Sequence, residues 1–230
     1  LTLLLLNILG NLNRIMSYRK RNSLCCFLML LITLLLNSCS NNAENRCDVL
    51  LQKAKGSLYQ FYVSNDTLSL IKAKNYIDSI DCSSFKHKVF DTKITLVILL
   101  KEYSEGIEYV KTLNNSDFQK EYQKNMYLKS FEAMICERQG DTTRRNKLYQ
   151  EIISEIQSYL NKTSDQETLI DFFTIKSKIE TKAEIIKEIE LLKATSKYDI
   201  EFLNILIEMQ EGNNEKNDSI FNNFNTISIL

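Results

Sequence analysis

The stretch LLKEYSEGIEYVKTL, residues 99–113, decides the fold because its small and apolar residues repeat an earlier pattern in the chain. The pairs separated by 33 residues are Ala73 and Gly106, Ile77 and Val110, and Ile80 and Leu113. Within each set, steps of three and four residues place the side chains on one face of a helix. A helix that returns at this period indicates helical hairpins stacked one upon another.

Each of these helices is preceded by another amphipathic stretch at helical spacing. The apolar residues are Leu50, Leu51, Ala54, Leu58, Phe61 and Tyr62 in the first unit, and Phe85, Val89, Phe90, Ile94 and Val97 in the second. Between the first pair of helices, the sequence VSND offers Asn65 or Asp66 as a helix cap. Because the connection is so short, the two helices should lie antiparallel.

Two further units and a final helix continue the pattern. The third unit, residues 118–153, turns at Gly140-Asp141 and keeps Tyr149 and Ile152 in register, but Arg145 stands at the small-residue position, so we expect looser or shifted packing there. The fourth unit runs roughly from 165 to 194. A helix over 198–211 should cap the stack, as terminal repeats must, and residues 212–230 form an Asn-rich tail.

The segment KEYSEGIEYVKTL resembles the second helix of a tetratricopeptide repeat, with Tyr103, Gly106, Val110 and Leu113 at the positions that define it. The resemblance implies an all-α, right-handed α-solenoid of antiparallel helix pairs over residues 47–211. It also implies that the first helices of the pairs line a peptide-binding surface. Side chains that could project there are Lys55, Tyr59, Lys93 and Lys124. The tryptophan and closing proline typical of the repeat are absent, and an irregular helical bundle is the alternative.

The N-terminal region predicts export. Arg19, Lys20 and Arg21 precede an apolar run over 24–36, which has the length of a secretory signal and is too short to span a bilayer. The following Leu36-Asn37-Ser38-Cys39 resembles the lipobox of bacterial lipoproteins. That resemblance implies cleavage before Cys39 and lipidation of its thiol; the alternatives are a plain signal peptide or an apolar anchor.

These expectations divide the chain. We expect translation to start at Met16, with residues 1–15 as upstream sequence and residues 1–38 removed on maturation. Residues 39–46 would be the lipidated Cys39 and a polar tether. The remaining 192 residues carry 25 basic and 29 acidic side chains, a net charge of −4, which argues against a nucleic-acid partner. The lack of proline and the scarcity of glycine favour helices throughout.

Three cysteines then remain. Cys47 opens the first helix of the first hairpin and Cys82 follows the second helix, so an antiparallel pair brings them together. In an oxidising compartment they could form a disulfide, or they could stay as two thiols. Cys136 lies among apolar residues and should be a buried thiol.

No residue pattern predicts catalysis, and we expect no cofactor and no metal. The only histidine, His87, is flanked by lysines on a face that should be polar. The sequence has no Gly-rich phosphate loop, no GxSxG and no HExxH motif. Its acidic residues alternate with lysines at helical spacing, as on solvated helix faces.

The expected function is therefore that of a lipid-anchored, non-catalytic module that binds an envelope protein or peptide, at the outer membrane of a Gram-negative cell. Its partner would be a protein or peptide, and its contact with the membrane would be through the N-terminal lipid. Two alternatives remain at this point: an accessory lipoprotein that binds a small ligand or glycan, and a cell-wall hydrolase with paired carboxylates. The absence of tryptophan weighs against glycan binding.

Overall fold

The computed structural model describes residues 44–195 and 197–212, and over these ranges the protein is all-helical. It contains nine α-helices and two short 3-10 helices, and no strand occurs in the described ranges. The prediction of an all-α protein is confirmed. None of the helices in these ranges has the combination of length and hydropathy that a membrane crossing requires.

The α-helices, in chain order, are α1 (44–64), α2 (Thr67–Asp78), α3 (Lys86–Leu100), α4 (Tyr103–Lys111), α5 (Gln123–Arg138), α6 (Thr142–Thr163), α7 (Thr168–Lys176), α8 (Lys182–Lys193) and α9 (Ile200–Glu211). The 3-10 helices are Ser83–Phe85 and Asn115–Asp117. Residues 44–46, which the sequence assigned to a tether, already belong to α1. The final helix begins at Ile200, close to the predicted 198.

Polar side chains begin several of these helices. Asp66 caps α2 by accepting a hydrogen bond from the Leu68 backbone N–H at 3.0 Å. Of the two predicted caps, Asn65 and Asp66, the N-cap is therefore Asp66. Asp141 and Asp199 cap α6 and α9 in the same way. Such caps satisfy backbone donors that have no partner within the helix. Gly140, at the end of α5, has φ 77°, a left-handed conformation that glycine adopts without strain, as the predicted turn requires.

The helices pack chiefly on their neighbours in the chain. Extensive contacts join α2 to α3, α3 to α4, α4 to α5, α5 to α6, α6 to α7, and α8 to α9. Helix α1 contributes Cys47, Leu51 and Ala54 to an apolar cluster that it shares with α2 and α3. Within each of these contacting pairs, helices that are consecutive in the chain are therefore also neighbours in the core.

Two apolar clusters form the core, and both include residues of α3. The first contains α1, α2 and the side of α3 that carries Val89 and Leu96. The second extends from the Ile94 and Val97 side of α3 through α9. Of the residues 33 apart, Ala73, Ile77, Gly106, Val110 and Leu113 are buried and Ile80 is partly buried. In the pairs Ala73–Gly106 and Ile77–Val110, equivalent positions of α2 and α4 are thus both buried.

Arg145 shows how the third unit departs from the pattern. Its side chain, 21 % exposed, pairs with Glu137 across the α5–α6 turn, at 3.1 Å. The apolar contacts of α6 are made instead by residues that follow it, including Tyr149 and Ile152, which are almost fully buried. The position that is small in the second unit is therefore taken in the third by an arginine held in an ion pair.

Candidate functional site

The two ends of the first hairpin are joined covalently. Cys47 in α1 and Cys82, just beyond α2, form a disulfide with their Cα atoms 6.3 Å apart. Nearby, the Ser84 hydroxyl donates to Glu44 at 3.0 Å, so a second contact crosses the same gap. Asp81 lies close enough to both sulfurs for the three residues to form a metal-ligand set, but the S–S bond uses the sulfurs that would ligate an ion.

A cleft lies beside this hairpin, between α1 and α3. Its volume is about 570 Å³. The lining residues are Asp48, Leu51, Gln52, Lys55 and Leu58 from α1, and His87, Lys88, Asp91, Thr92 and Thr95 from α3. The spacing on both helices is that of a single helix face, so the cleft follows the two helices side by side. Its size falls within the range of ordinary ligand-binding pockets.

The cleft combines both signs of charge with an apolar floor. Lys55 and Lys88 supply positive charge, Asp48 and Asp91 supply negative charge, and the buried side chain of Leu51 forms part of the floor. The Lys88 ammonium lies 4.3 Å from the centre of the Phe85 ring, a cation–π contact that holds the lysine at the rim. Such a surface can accept hydrogen-bonding and apolar groups of one ligand together.

Of the four side chains expected in a binding surface, only Lys55 lines this cleft. Tyr59 is 71 % exposed on α1 and lies outside the lining set. Lys93 pairs with Asp78 at 3.3 Å and contacts the Tyr109 ring, while Lys124 donates to the Leu113 carbonyl. The last two lysines therefore hold neighbouring helices together, and neither lines this cleft.

His87 lies at the mouth of the cleft rather than on an isolated surface. Its Nε2 is 3.6 Å from Asp117 Oδ1, and two thirds of its side chain is exposed. Asp117 belongs to the 3-10 helix that follows α4. The histidine thus lies between the cleft and an aromatic group in which the Phe90 ring contacts Tyr109, Phe118 and Tyr127.

Burial within this aromatic group makes Tyr109 a weak acid. Burial, together with the negative charges of Asp91 and Asp117, raises the pKa of its hydroxyl to about 12. The hydroxyl therefore stays protonated throughout the physiological range. Phe131 and Tyr122 are also buried, and Phe61 and Phe90 pack against the core while partly exposed.

A buried polar network joins the start of α5 to α7. Lys120, which is 9 % exposed, lies 2.8 Å from Asp165 Oδ2 and 2.9 Å from the Thr168 hydroxyl. The Tyr122 hydroxyl donates to Asp171 Oδ2 at 2.6 Å. Sequence inspection missed this network because its members are separated by almost fifty positions; the one signal was an acid within the otherwise apolar run TLIDFF.

Burial raises the pKa of the Asp171 carboxyl, although the Tyr122 hydrogen bond and the charge of Lys120 oppose the change. The folded state therefore holds the Asp171 proton at pH values where the unfolded state, near the usual 3.8, has lost it. By linkage, this group contributes most to stability below the unfolded pKa. Its contribution falls as the pH rises through the raised folded value.

An Asp171→Asn variant should show this dependence directly. Asparagine can still accept the Tyr122 hydrogen bond but does not ionise, so its stability relative to the wild type should improve as the pH rises from 4 towards 7. Urea unfolding of both proteins at several pH values measures the difference, and the other carboxylates cancel because both proteins share them. A difference that is independent of pH, or that falls, would contradict the raised pKa.

Cys39, the expected lipid attachment site, lies outside the described residues. Cys136 is a buried, unpaired thiol in α5.

The chain was compared with protein families, curated proteins and solved structures, and no match was found in any of the three comparisons.

Proposed function

We propose that this protein is a lipid-anchored envelope protein whose helical hairpins bind a peptide segment of another envelope protein in the cleft between α1 and α3. The observation that carries the proposal is the cleft itself, an open groove that follows two helices and has donors, acceptors and apolar surface along its length. An extended peptide presents the same alternation of backbone groups and side chains.

The proposed architecture is a right-handed solenoid of antiparallel, tetratricopeptide-like pairs. Three features support it: packing between chain neighbours, burial of both residues in two of the three pairs 33 apart, and the close approach of helices at Gly106. In such an array, α1 and α3 are the first helices of consecutive pairs. A groove between first helices is thus expected to recur along the stack, and the cleft is the first of these grooves.

The proposed location follows from the sequence before α1. If Cys39 carries the lipid, five residue steps separate it from Glu44, the first described residue of α1. Five extended steps span at most about 18 Å. The cleft would then lie close to the membrane, where segments of other envelope proteins are concentrated.

Reversal of charge in the cleft should weaken binding. A Lys55→Glu, Lys88→Glu variant reverses the charge of both exposed lysines of the cleft. We expect its affinity for the partner peptide to fall by about tenfold, equivalent to about 1.4 kcal/mol. The matched control is Lys147→Glu, Lys187→Glu, which reverses two exposed lysines outside the cleft. Equal affinities of the two variants would contradict the cleft as the binding site.

The partner can be found by photo-cross-linking in intact cells. A photoreactive amino acid at Gln52, inside the cleft, should cross-link a defined envelope protein. The same group at Gln157, an exposed residue of α6 outside the cleft, should not. A Cys39→Ala protein, tested in parallel, should lose the cross-link because it is no longer lipidated at the membrane. If both positions give the same products, or neither gives any, peptide binding in the cleft is refuted.

A further inference from the structure

The first hairpin exposes an apolar surface that no described residue covers. Six of the eight exposed large apolar side chains in the described ranges lie on α1 and α2. Four of the six, here called the hairpin surface, are Val49, Val63, Leu68 and Ile71, with exposures of 46–70 %. The remaining two of the six, Tyr59 and Tyr62, follow the cleft residues Gln52 and Lys55 by seven positions and therefore lie on the cleft side of α1. Leu191 and Ile200 lie near the far end of the chain. Concentrated exposed apolar area of this kind marks a binding surface.

On α1, the hairpin surface is opposite the core. Val49, Gly56 and Val63 are seven residues apart and so share one face, while the buried Leu51 and Ala54 face the other way. A Cβ atom added at Gly56 would meet no atom within 4 Å, so the middle of this face is unobstructed. The face runs along the helix for about 20 Å at 1.5 Å per residue.

Helix α2 extends the same surface. Leu68 and Ile71 are one turn apart and lie opposite the buried Leu70 and Ala73. The turn over residues 65–66 is short, so Val63 at the end of α1 and Leu68 at the start of α2 are neighbours. Two helices thus contribute to one exposed apolar face.

We propose that the hairpin surface rests on the lipid bilayer into which the acyl chains at Cys39 insert. This inference rests on the proposed lipid anchor. The tether, about 18 Å at most, keeps the first hairpin closer to the bilayer than any later unit. A lipid anchor together with an apolar helix face holds a protein at a membrane far more firmly than one weak contact alone.

The charge distribution favours this orientation over others. Residues 44–81 carry five basic and five acidic side chains, so the hairpin is neutral, whereas residues 82–230 carry 20 basic and 24 acidic side chains and a net charge of −4. An anionic bilayer repels the acidic remainder more than the hairpin. Lys53 and Lys72, both exposed beside the apolar face, can extend their ammonium groups to lipid headgroups.

The bilayer and a peptide can be bound at the same time. The cleft is lined by Leu51, Lys55 and Leu58, which lie on a different side of α1 from Val49 and Val63. With α1 on the bilayer, the cleft therefore stays open to the aqueous phase. The membrane would hold the binding groove in one orientation rather than leave it free on a tether.

Fluorescence of a single introduced tryptophan tests this orientation without background emission from other tryptophans, because the sequence contains none. The full chain is produced with its leader in a bacterium and reconstituted into vesicles of phosphatidylethanolamine and phosphatidylglycerol with brominated acyl chains. We expect the emission of a Leu68→Trp variant to be blue-shifted and quenched about twofold or more relative to a Leu191→Trp control, whose reporter replaces an equally exposed leucine far from the hairpin.

Intact mass and vesicle flotation report on the anchor separately. If the protein is acylated and floats but both reporters are quenched equally, the hairpin surface does not rest on the bilayer and the anchor still stands. If Cys39 is not acylated, the anchor proposal fails, and quenching of Leu68→Trp by added vesicles then decides whether the surface binds lipid by itself. A blue shift without quenching, together with a dimer in sedimentation, would instead assign the surface to a second copy and overturn the inference.

Discussion

Loss of the Cys47–Cys82 disulfide is expected to lower the free energy of unfolding by about 3–4 kcal/mol. The bond joins residues 35 positions apart, and an open chain of that length loses considerable conformational entropy when its ends are brought together. The bond also joins α1 and α2 at the open end of the first hairpin, opposite the turn that connects the two helices. Without it, α1 would be held mainly by the apolar contacts of Leu51 and Ala54.

Urea unfolding of the wild type and of a Cys47→Ala, Cys82→Ala variant measures this effect. Cys136→Ala is the control for loss of a buried thiol that forms no bond, and because it keeps the disulfide it should lose as much stability as the wild type on treatment with reductant. Intact mass after alkylation, with and without reductant, shows whether the bond is present before unfolding. Wild-type protein that is as stable reduced as oxidised would show that the first hairpin does not depend on the bond.

The helices and their core faces could be predicted from sequence because both depend on local spacing. Ala73, Ile77, Val110 and Leu113 were assigned to buried faces from steps of three and four residues, and all four are buried. The cap at Asp66 and the turn at Gly140 followed from residue chemistry within a few positions. Burial faces, caps and turns each depend on residues within one or two turns of a helix.

The polar side chains at the candidate site were less predictable because their partners lie on other helices. Lys93 and Lys124 looked like groove residues on a helical wheel, yet Asp78 and the Leu113 carbonyl hold them between helices. The contact of Lys120 with Thr168 spans 48 positions and depends on how α7 meets the start of α5. No periodicity in the sequence reports such a contact.

A bulky residue at position 106 should destabilise the protein, with an expected loss of about 1–3 kcal/mol for Gly106→Val. A Cβ atom at Gly106 would lie 2.7 Å from Val97 Cγ1 and 2.8 Å from Phe131 Cε2, distances that real contacts do not reach. Val97 belongs to α3 and Phe131 to α5, and both are buried, so neither can move away without disturbing the core. The glycine lets three helices meet closely, and valine would force them apart.

Gly56 provides the matched comparison, because it also lies within a helix but has open space around its Cα atom. Gly56→Ala should stabilise the protein by about 0.5–1 kcal/mol, since alanine loses less backbone freedom on folding. Gly106→Ala has the same intrinsic helix preference and should nevertheless destabilise it. Unfolding in urea measures both variants, and the sign of the difference between them isolates the close approach of the helices. If Gly106→Ala were as stabilising as Gly56→Ala, the small-residue contact between α3, α4 and α5 would not exist in solution, and the 33-residue register would lose its physical basis.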